Sequence, residues 1–138
     1  MTHKVACAWL ENMAFETEVS GHKLIIDADE TVGGEDRGPR PKPLILSSLA
    51  GCTGMDVIYV LRKMKIEPGY FNMEVEGELT EEHPKQYKRI HLIYEFKESD
   101  GLDKKKVETA VNLSQDKYCG VSALLRKGSD VSFEIKYI

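Results

Sequence analysis

Several features are scarce in this chain of 138 residues, and each scarcity excludes a class of protein. No uninterrupted run reaches the roughly 18 apolar residues that a membrane-spanning helix needs, so we expect no membrane partner. No group of lysines and arginines stands apart from acidic residues, and the net charge is −4, which argues against nucleic-acid binding. The N-terminus lacks the basic and then apolar pattern of a secretory signal, so we predict a cytoplasmic protein.

Cysteine is also scarce: the only three are Cys7, Cys52 and Cys119. A structural disulfide is unusual in the reducing cytoplasm, where a pair that oxidises is more often catalytic or redox-sensing. A CxxC motif is missing, and so is any Cys/His spacing typical of zinc, so we expect no metal site. Glycine-rich nucleotide-binding loops and the GxSxG motif are missing too, so we expect no cofactor.

What is present predicts a single domain with four parts. The first 28 residues alternate like a three-strand meander with a turn at Ser20-Gly21. Residues 30–43, with three glycines and three prolines, predict a loop. Residues 44–65 are apolar on nearly every face and predict a buried central helix. Residues 70–138 then give two strands, two helices with Asp103 capping the first, and a final strand. This order predicts an α+β fold with a mostly antiparallel sheet.

Cys52 lies within the predicted central helix, among small residues, and two interpretations of it are open. A free cysteine is often a small buried residue, and an apolar environment makes its thiol inert. A reactive Cys52 needs a cationic or hydrogen-bonding partner. The preceding loop holds two arginines, Arg37 and Arg40, which are the expected suppliers.

Cys119 has a different setting, at the boundary between the polar "SQDKY" and the apolar "GVSALL". If a short helix begins near Gly120, the Cys119 sulfur lies at its positive end, which favours the thiolate. The alternative is a packing residue in the first turn of that helix. Cys7 lies in the first predicted strand with no polar partner nearby in sequence, and we interpret it as structural filler.

Two segments together point to a known family: "PLILSSLAGCTGMDVIYVLRK" and, after two long strands, "VNLSQDKYCGVSALLRKG". They resemble the OsmC/Ohr superfamily of osmotically inducible protein C and organic hydroperoxide resistance proteins, and the resemblance covers essentially the whole chain. Residues 114–121 also resemble the Ser-x-x-Lys-Tyr-Cys-x-Val pattern of its YhfA-like branch.

The resemblance implies antiparallel sheets around a long buried helix, in an intertwined homodimer with active sites at the interface. It implies that Cys52 is the peroxidatic thiolate, which attacks an organic hydroperoxide and becomes a sulfenic acid. Cys119 then resolves that acid as a Cys52–Cys119 disulfide, and an external dithiol reduces it. The alternative is a non-catalytic relative that binds a small apolar ligand, or senses oxidants, at the dimer interface.

One departure from the family bears on activity. Hydroperoxidase members carry a glutamate about nine or ten residues before the first cysteine, together with a partner arginine; here those positions are Lys42 and Pro43. Another group must then lower the pKa of Cys52. The candidate cations are Arg37, Arg40 and Lys42, with Glu35 or Asp36 as their acidic partner.

Overall fold

The computed structural model describes residues 1–138, and the chain divides into two compact units, Met1–Ile45 and Leu46–Ile138. We call them the N-terminal and C-terminal units. That the whole chain forms a single domain stays a prediction.

The N-terminal unit is built on a three-stranded antiparallel sheet in the order β1-β2-β3. Its strands are β1 (Ala6–Glu11), β2 (Ala14–Val19) and β3 (His22–Ile26). Ser20 and Gly21 between β2 and β3 both have positive φ, 52° and 79°, as a two-residue hairpin turn requires. The predicted meander is therefore confirmed, because alternation and turn residues are local signals.

Asp27, which is only 2% exposed, organises the predicted loop after β3. Its carboxylate accepts backbone N–H groups from further along the loop: Ala28 at 2.7 Å, Glu35 at 3.2 Å and Arg37 at 3.2 Å. Burial alone raises the pKa of Asp27. The three hydrogen bonds and the Arg37 charge together lower it by more than burial raises it, so the net shift is downward. The loop is thus folded around one ionised side chain.

The C-terminal unit contains a second three-stranded sheet, in the order β4-β5-β6. Its strands are β4 (Phe71–Leu79), β5 (Tyr87–Phe96) and β6 (Asp130–Tyr137). β4 and β5 are antiparallel, whereas β5 and β6 are parallel. Parallel neighbours need a long crossover, which is supplied here by two helices, α2 (Lys104–Leu113) and α3 (Gly120–Leu125). The expected mostly antiparallel arrangement holds for three of the four strand pairs.

The first helix of the chain, α1, spans Pro43–Lys63, close to the predicted 44–65. Only one face of it is buried in the chain, and Met55 and Tyr59 are 75% and 61% exposed. The expected burial on nearly every face is therefore not met within a single copy. With a mean hydropathy of 1.7, α1 is also long and apolar enough to cross a membrane. Core helices of soluble proteins can have the same length and composition.

The buried core of the C-terminal unit joins side chains from α1, β5 and α2. It includes Leu49 and Leu61 of α1, Leu92 and Tyr94 of β5, and Val107 and Val111 of α2, all of them fully buried. Asp103 caps α2, as predicted, by accepting the N–H groups of Lys105 and Lys106. This core holds the middle of α1 and the α2–α3 connection in place, and both cysteine motifs lie there.

Candidate active site

The two cysteines singled out from sequence are neighbours. Cys52 lies half-buried in the middle of α1, and Cys119, which is 3% exposed, lies immediately before α3. Their Sγ atoms and a carboxylate oxygen of Asp56 all lie within 4.8 Å of one another. The structure therefore brings together two thiols that are far apart in sequence, and adds a carboxylate that the sequence reading did not single out.

Local geometry explains how the three groups meet. Cys52 and Asp56 are four residues apart on α1, a spacing that puts two side chains on the same helix face. A π-helical turn, Ser114–Tyr118, follows α2 and leads directly into Cys119. The Cys119 Sγ accepts the N–H of Ser122 at 3.3 Å, so the sulfur caps α3. The predicted position of this thiol at a helix N-terminus is confirmed.

The surroundings of Cys52 disfavour its thiolate. Burial raises the pKa of the Cys52 thiol most strongly, and the hydrogen bond with Cys119 and the negative charges of Cys119 and Asp56 raise it further. The backbone N–H of Val121 lowers it, but not enough to reverse the shift. The first turn of α3 thus presents one N–H to each sulfur, while the two charged groups that raise the Cys52 pKa are Cys119 and Asp56.

A chain of hydrogen-bonded side chains, buried except at its two ends, leads away from Asp56, and we call it the polar chain. It consists of Asp56, Ser114, Thr53, Tyr94, Gln115 and Arg126, in that order. Its inner members are closely spaced: Thr53 Oγ1 lies 2.6 Å from the Tyr94 hydroxyl and 2.7 Å from Ser114 Oγ. A carboxylate and a guanidinium stand at its two ends.

Each hydroxyl has only one hydrogen to donate, and this fixes the direction of the hydrogen bonds along the polar chain. Ser114 Oγ donates its single hydrogen to Asp56 Oδ2 at 2.9 Å, so Thr53 must donate to Ser114. Tyr94 must then donate to Thr53, and Gln115 Nε2 donates to Tyr94 at 2.7 Å. Every donor is therefore directed toward the Asp56 carboxylate. This arrangement fixes the orientation of that carboxylate beside Cys52.

The other predicted site residues belong to the N-terminal unit, where Arg37, Arg40 and Glu35 have side-chain partners. Arg40 pairs with Asp36, one of its two expected acidic partners, and lies 3.6 Å from Asp29. Arg37 lies 4.0 Å from Glu11, and Glu35 accepts a 3.4 Å hydrogen bond from Asn12. The expected roles of Arg37, Arg40, Lys42 and Glu35 beside Cys52 stay predictions.

Sequence reasoning missed most of the polar chain. The spacing of Cys52 and Asp56 on a predicted helix was a usable signal for one member. Ser114 was noted only as the first residue of the 114–121 pattern. Thr53, Tyr94 and Gln115 gave no signal, because their partners lie on three different elements.

The structure also departs from the sequence-based expectation at Cys7, which is exposed on β1. It therefore does not fill a core within this chain. As the one thiol outside the site, it provides a natural internal control.

The chain belongs to the OsmC-like protein family, whose sequence profile matches residues 33–134. The match includes both cysteine motifs and ends within β6. The family is therefore the one that the two motifs had indicated.

Individual relatives agree with this assignment. The protein is similar to "Protein YhfA" of Escherichia coli K12, with 30% identity over 130 residues that cover 92% of this chain and 93% of the relative. A hypothetical protein from Aquifex aeolicus has a similar structure, with a TM-score of 0.82, 28% identity and coverage of 100% and 98% of the two chains. An organic hydroperoxide resistance protein OsmC from Legionella pneumophila shares the fold, with a TM-score of 0.72, 22% identity and coverage of 100% and 98%.

Proposed function

We propose that the protein is a cysteine-based peroxidase that reduces organic hydroperoxides. The observation that carries the proposal is the proximity of the Cys52 and Cys119 sulfurs to each other, within 4.8 Å. Each sulfur also receives a backbone N–H from the first turn of α3, which would stabilise negative charge on it during reaction. Membership of a family with members named for organic hydroperoxide resistance supports the same chemistry.

The reaction needs no metal or cofactor. The Cys52 thiolate attacks the terminal oxygen of the hydroperoxide; the O–O bond breaks, the alkoxide takes up a proton, and Cys52 becomes a sulfenic acid. The Cys119 sulfur then attacks the Cys52 sulfur, forming a disulfide and releasing water. An external dithiol reduces that disulfide and is itself oxidised. The reducing cytoplasm, where we place the protein, keeps such dithiols reduced.

An apolar pocket next to α1 supports an organic rather than an inorganic peroxide. It has a volume of about 520 Å³ and is lined by Gly51, Gly54, Met55, Ile58, Tyr59, Arg62 and Phe71. Gly51 precedes Cys52 in the chain, so the pocket adjoins the turn of α1 that carries Cys52, although neither Cys52 nor Cys119 lines it. An apolar wall gains free energy by covering the alkyl part of a substrate.

We also propose a homodimer. Large apolar side chains on α1 and in the N-terminal unit are exposed, among them Met55 at 75%, Trp9 at 65% and Tyr59 at 61%. A soluble monomer rarely exposes so many of them in continuous patches. A second copy of the chain would cover these faces and would enclose the apolar pocket.

The decisive experiment is stopped-flow consumption of cumene hydroperoxide by the reduced protein. We expect fast consumption that Cys52→Ser abolishes and that Cys7→Ser, the matched control, leaves unchanged. Mass spectrometry of the product should find one disulfide, between Cys52 and Cys119, with Cys7 still reduced. A rate no faster than that of a free thiol in solution, in the unsubstituted protein, would overturn the proposal.

A second function, non-catalytic binding of a small apolar ligand, is favoured by two observations. The pKa of Cys52 is raised, whereas a peroxidatic thiol needs its thiolate near neutral pH. The missing glutamate, replaced by Lys42 and Pro43, points the same way. Saturable binding of a fatty-acid-like probe, together with a solution-like peroxide rate, would select this function.

A further inference from the structure

We propose that Cys52, Cys119 and Asp56 form a binding site for a thiophilic divalent cation, with Zn²⁺ as its natural occupant. No Cys/His spacing in the sequence predicted a metal site, because the ligands come from two segments that meet only in the fold. Two sulfurs and one carboxylate oxygen are a donor set that suits zinc. Three protein ligands with a fourth position left open to water are typical of an accessible zinc site.

The separations between the ligand atoms fit such a site. Zinc bonds of about 2.3 Å to sulfur and about 2.0 Å to oxygen, at tetrahedral angles, put ligand atoms about 3.5–3.8 Å apart. The three atoms here already lie within 4.8 Å of one another. Movements of the ligand atoms by about 1 Å, through side-chain rotation, would therefore complete the site. Ligands at i and i+4 on one helix, as for Cys52 and Asp56, are an established way to bind zinc.

The charge of the site also favours a cation. With a metal bound, both cysteines are thiolates, and together with the Asp56 carboxylate they bring three negative groups within 4.8 Å of one another. A bound Zn²⁺ would neutralise this repulsion and displace the thiol protons, two of them for two cysteine ligands. One positive side chain works against cation binding, because Lys63 lines the same pocket as Asp56.

The structure also supplies the outer support and the access that a metal site needs. Ser114 Oγ donates to Asp56 Oδ2 at 2.9 Å, and hydrogen bonds of this kind orient metal-ligating carboxylates. Asp56 opens into a pocket of about 400 Å³ lined with Tyr59, Lys63 and Tyr118. The pocket, which neither sulfur lines, gives a hydrated cation a way to the Asp56 carboxylate and leaves room there for a water ligand.

If the proposed peroxidase function holds, the metal regulates it, because sulfurs bound to zinc cannot form the Cys52–Cys119 disulfide. Bound Zn²⁺ would protect the reduced pair and would be released when the pair oxidises. Binding itself does not depend on peroxidase activity and is measured without peroxide. A protein that binds Zn²⁺ but does not reduce peroxide would refute only the peroxidase.

The test titrates reduced Cys7→Ser protein, which lacks the exposed thiol, with Zn²⁺ against a chromophoric chelator. We expect one Zn²⁺ per chain, and with Co²⁺ as the probe a thiolate-to-cobalt absorption band. Asp56→Asn should weaken Zn²⁺ binding about 10-fold or more. Asp116→Asn, which removes an exposed carboxylate three residues before Cys119, should change nothing.

A second measurement covers the case in which a substitution unfolds the chain. In the unsubstituted protein, Zn²⁺ should slow the alkylation of both Cys52 and Cys119 while leaving Cys7 alkylation unchanged. Equal Zn²⁺ affinity in Asp56→Asn and Asp116→Asn would overturn the proposed ligand set. So would alkylation of Cys52 at the same rate with and without Zn²⁺.

Discussion

The two units of this chain contrast in how they bury their side chains. In the C-terminal unit, α1, α2 and β5 share a core of fully buried residues such as Leu61 and Tyr94. In the N-terminal unit every residue of β1 is exposed, and the buried residues are Ala14, Thr17 and Asp27. One unit is a self-supporting core, whereas the other is a sheet without one.

The contrast separates the packed region that holds the thiol pair from the exposed region that the proposed homodimer would cover. A small sheet with no buried face has little stability in water, so the N-terminal unit must gain free energy from contacts outside its own strands. The thiol pair, in contrast, lies against the packed core, where side-chain positions are fixed. Cys7 lies in the exposed N-terminal sheet, whereas Cys119 lies against the packed core. Substituting each cysteine in turn therefore compares the two regions directly.

The largest expected effect is on turnover. Cys119→Ser should abolish steady-state peroxide reduction with a dithiol reductant, because the Cys52 sulfenic acid then has no resolving thiol. Cys7→Ser should leave turnover unchanged. Mass spectrometry after one equivalent of cumene hydroperoxide should find Cys52 oxidised in Cys119→Ser, as sulfenic or sulfinic acid. Full turnover in Cys119→Ser would mean that the reductant attacks the sulfenic acid directly.

The next effect is on stability, where two leucines are compared. Leu61→Ala in the C-terminal core should lower the free energy of unfolding by about 2–5 kcal/mol, through lost burial and a residual cavity. Leu24→Ala in β3, where the side chain is 41% exposed, should cost little within one copy. In the proposed homodimer its cost should depend on protein concentration. Chemical unfolding at two concentrations measures both.

If Leu24→Ala is neutral at every concentration, the exposed strands do not form the proposed interface. If Leu61→Ala is equally mild, the contrast between the two units is itself wrong. Analytical ultracentrifugation of the two variants keeps loss of dimer apart from loss of fold.

The sequence predicted the elements well because their signals are local. Alternation, the Ser20-Gly21 turn and the Asp103 cap each depend on a few adjacent residues, and each was confirmed. The parallel pairing of β5 and β6 was not predicted, because strand order is decided by the crossover between them. Burial of α1 was overestimated, since composition shows that a helix face is apolar but not whether the same copy covers it.

The site was predicted only in part. The importance of the two cysteines came from the family resemblance, whereas their proximity required the fold. Asp56 and the rest of the polar chain escaped notice because each side chain is ordinary in its own segment. Its role arises only from partners on other elements, as when Ser114 meets Asp56.

A smaller effect should come from breaking the polar chain. Thr53→Val keeps the shape of the side chain but leaves the Tyr94 hydroxyl without its acceptor and Ser114 without its donor. An unmet buried polar group costs about 1–3 kcal/mol, so the free energy of unfolding should fall by about that amount. Thr2→Val, at an exposed position in the N-terminal unit, should stay within about 0.5 kcal/mol. Equal costs for the two would mean that the polar chain contributes nothing to stability.

The smallest expected effect is a change in the pH dependence of Cys52, and it sets a carboxylate of one unit against a cation of the other. Because the pKa of Cys52 is raised, its alkylation rate should keep rising with pH beyond the ordinary thiol value of about 8.5. Asp56→Asn removes a negative charge that disfavours the thiolate, so the curve should move to lower pH. Arg40, already paired with Asp36 and Asp29, should move it little when changed to alanine. If Arg40→Ala instead moves the curve clearly to higher pH, Arg40 supplies the cation that the sequence predicted, and the activation of Cys52 depends on the N-terminal unit.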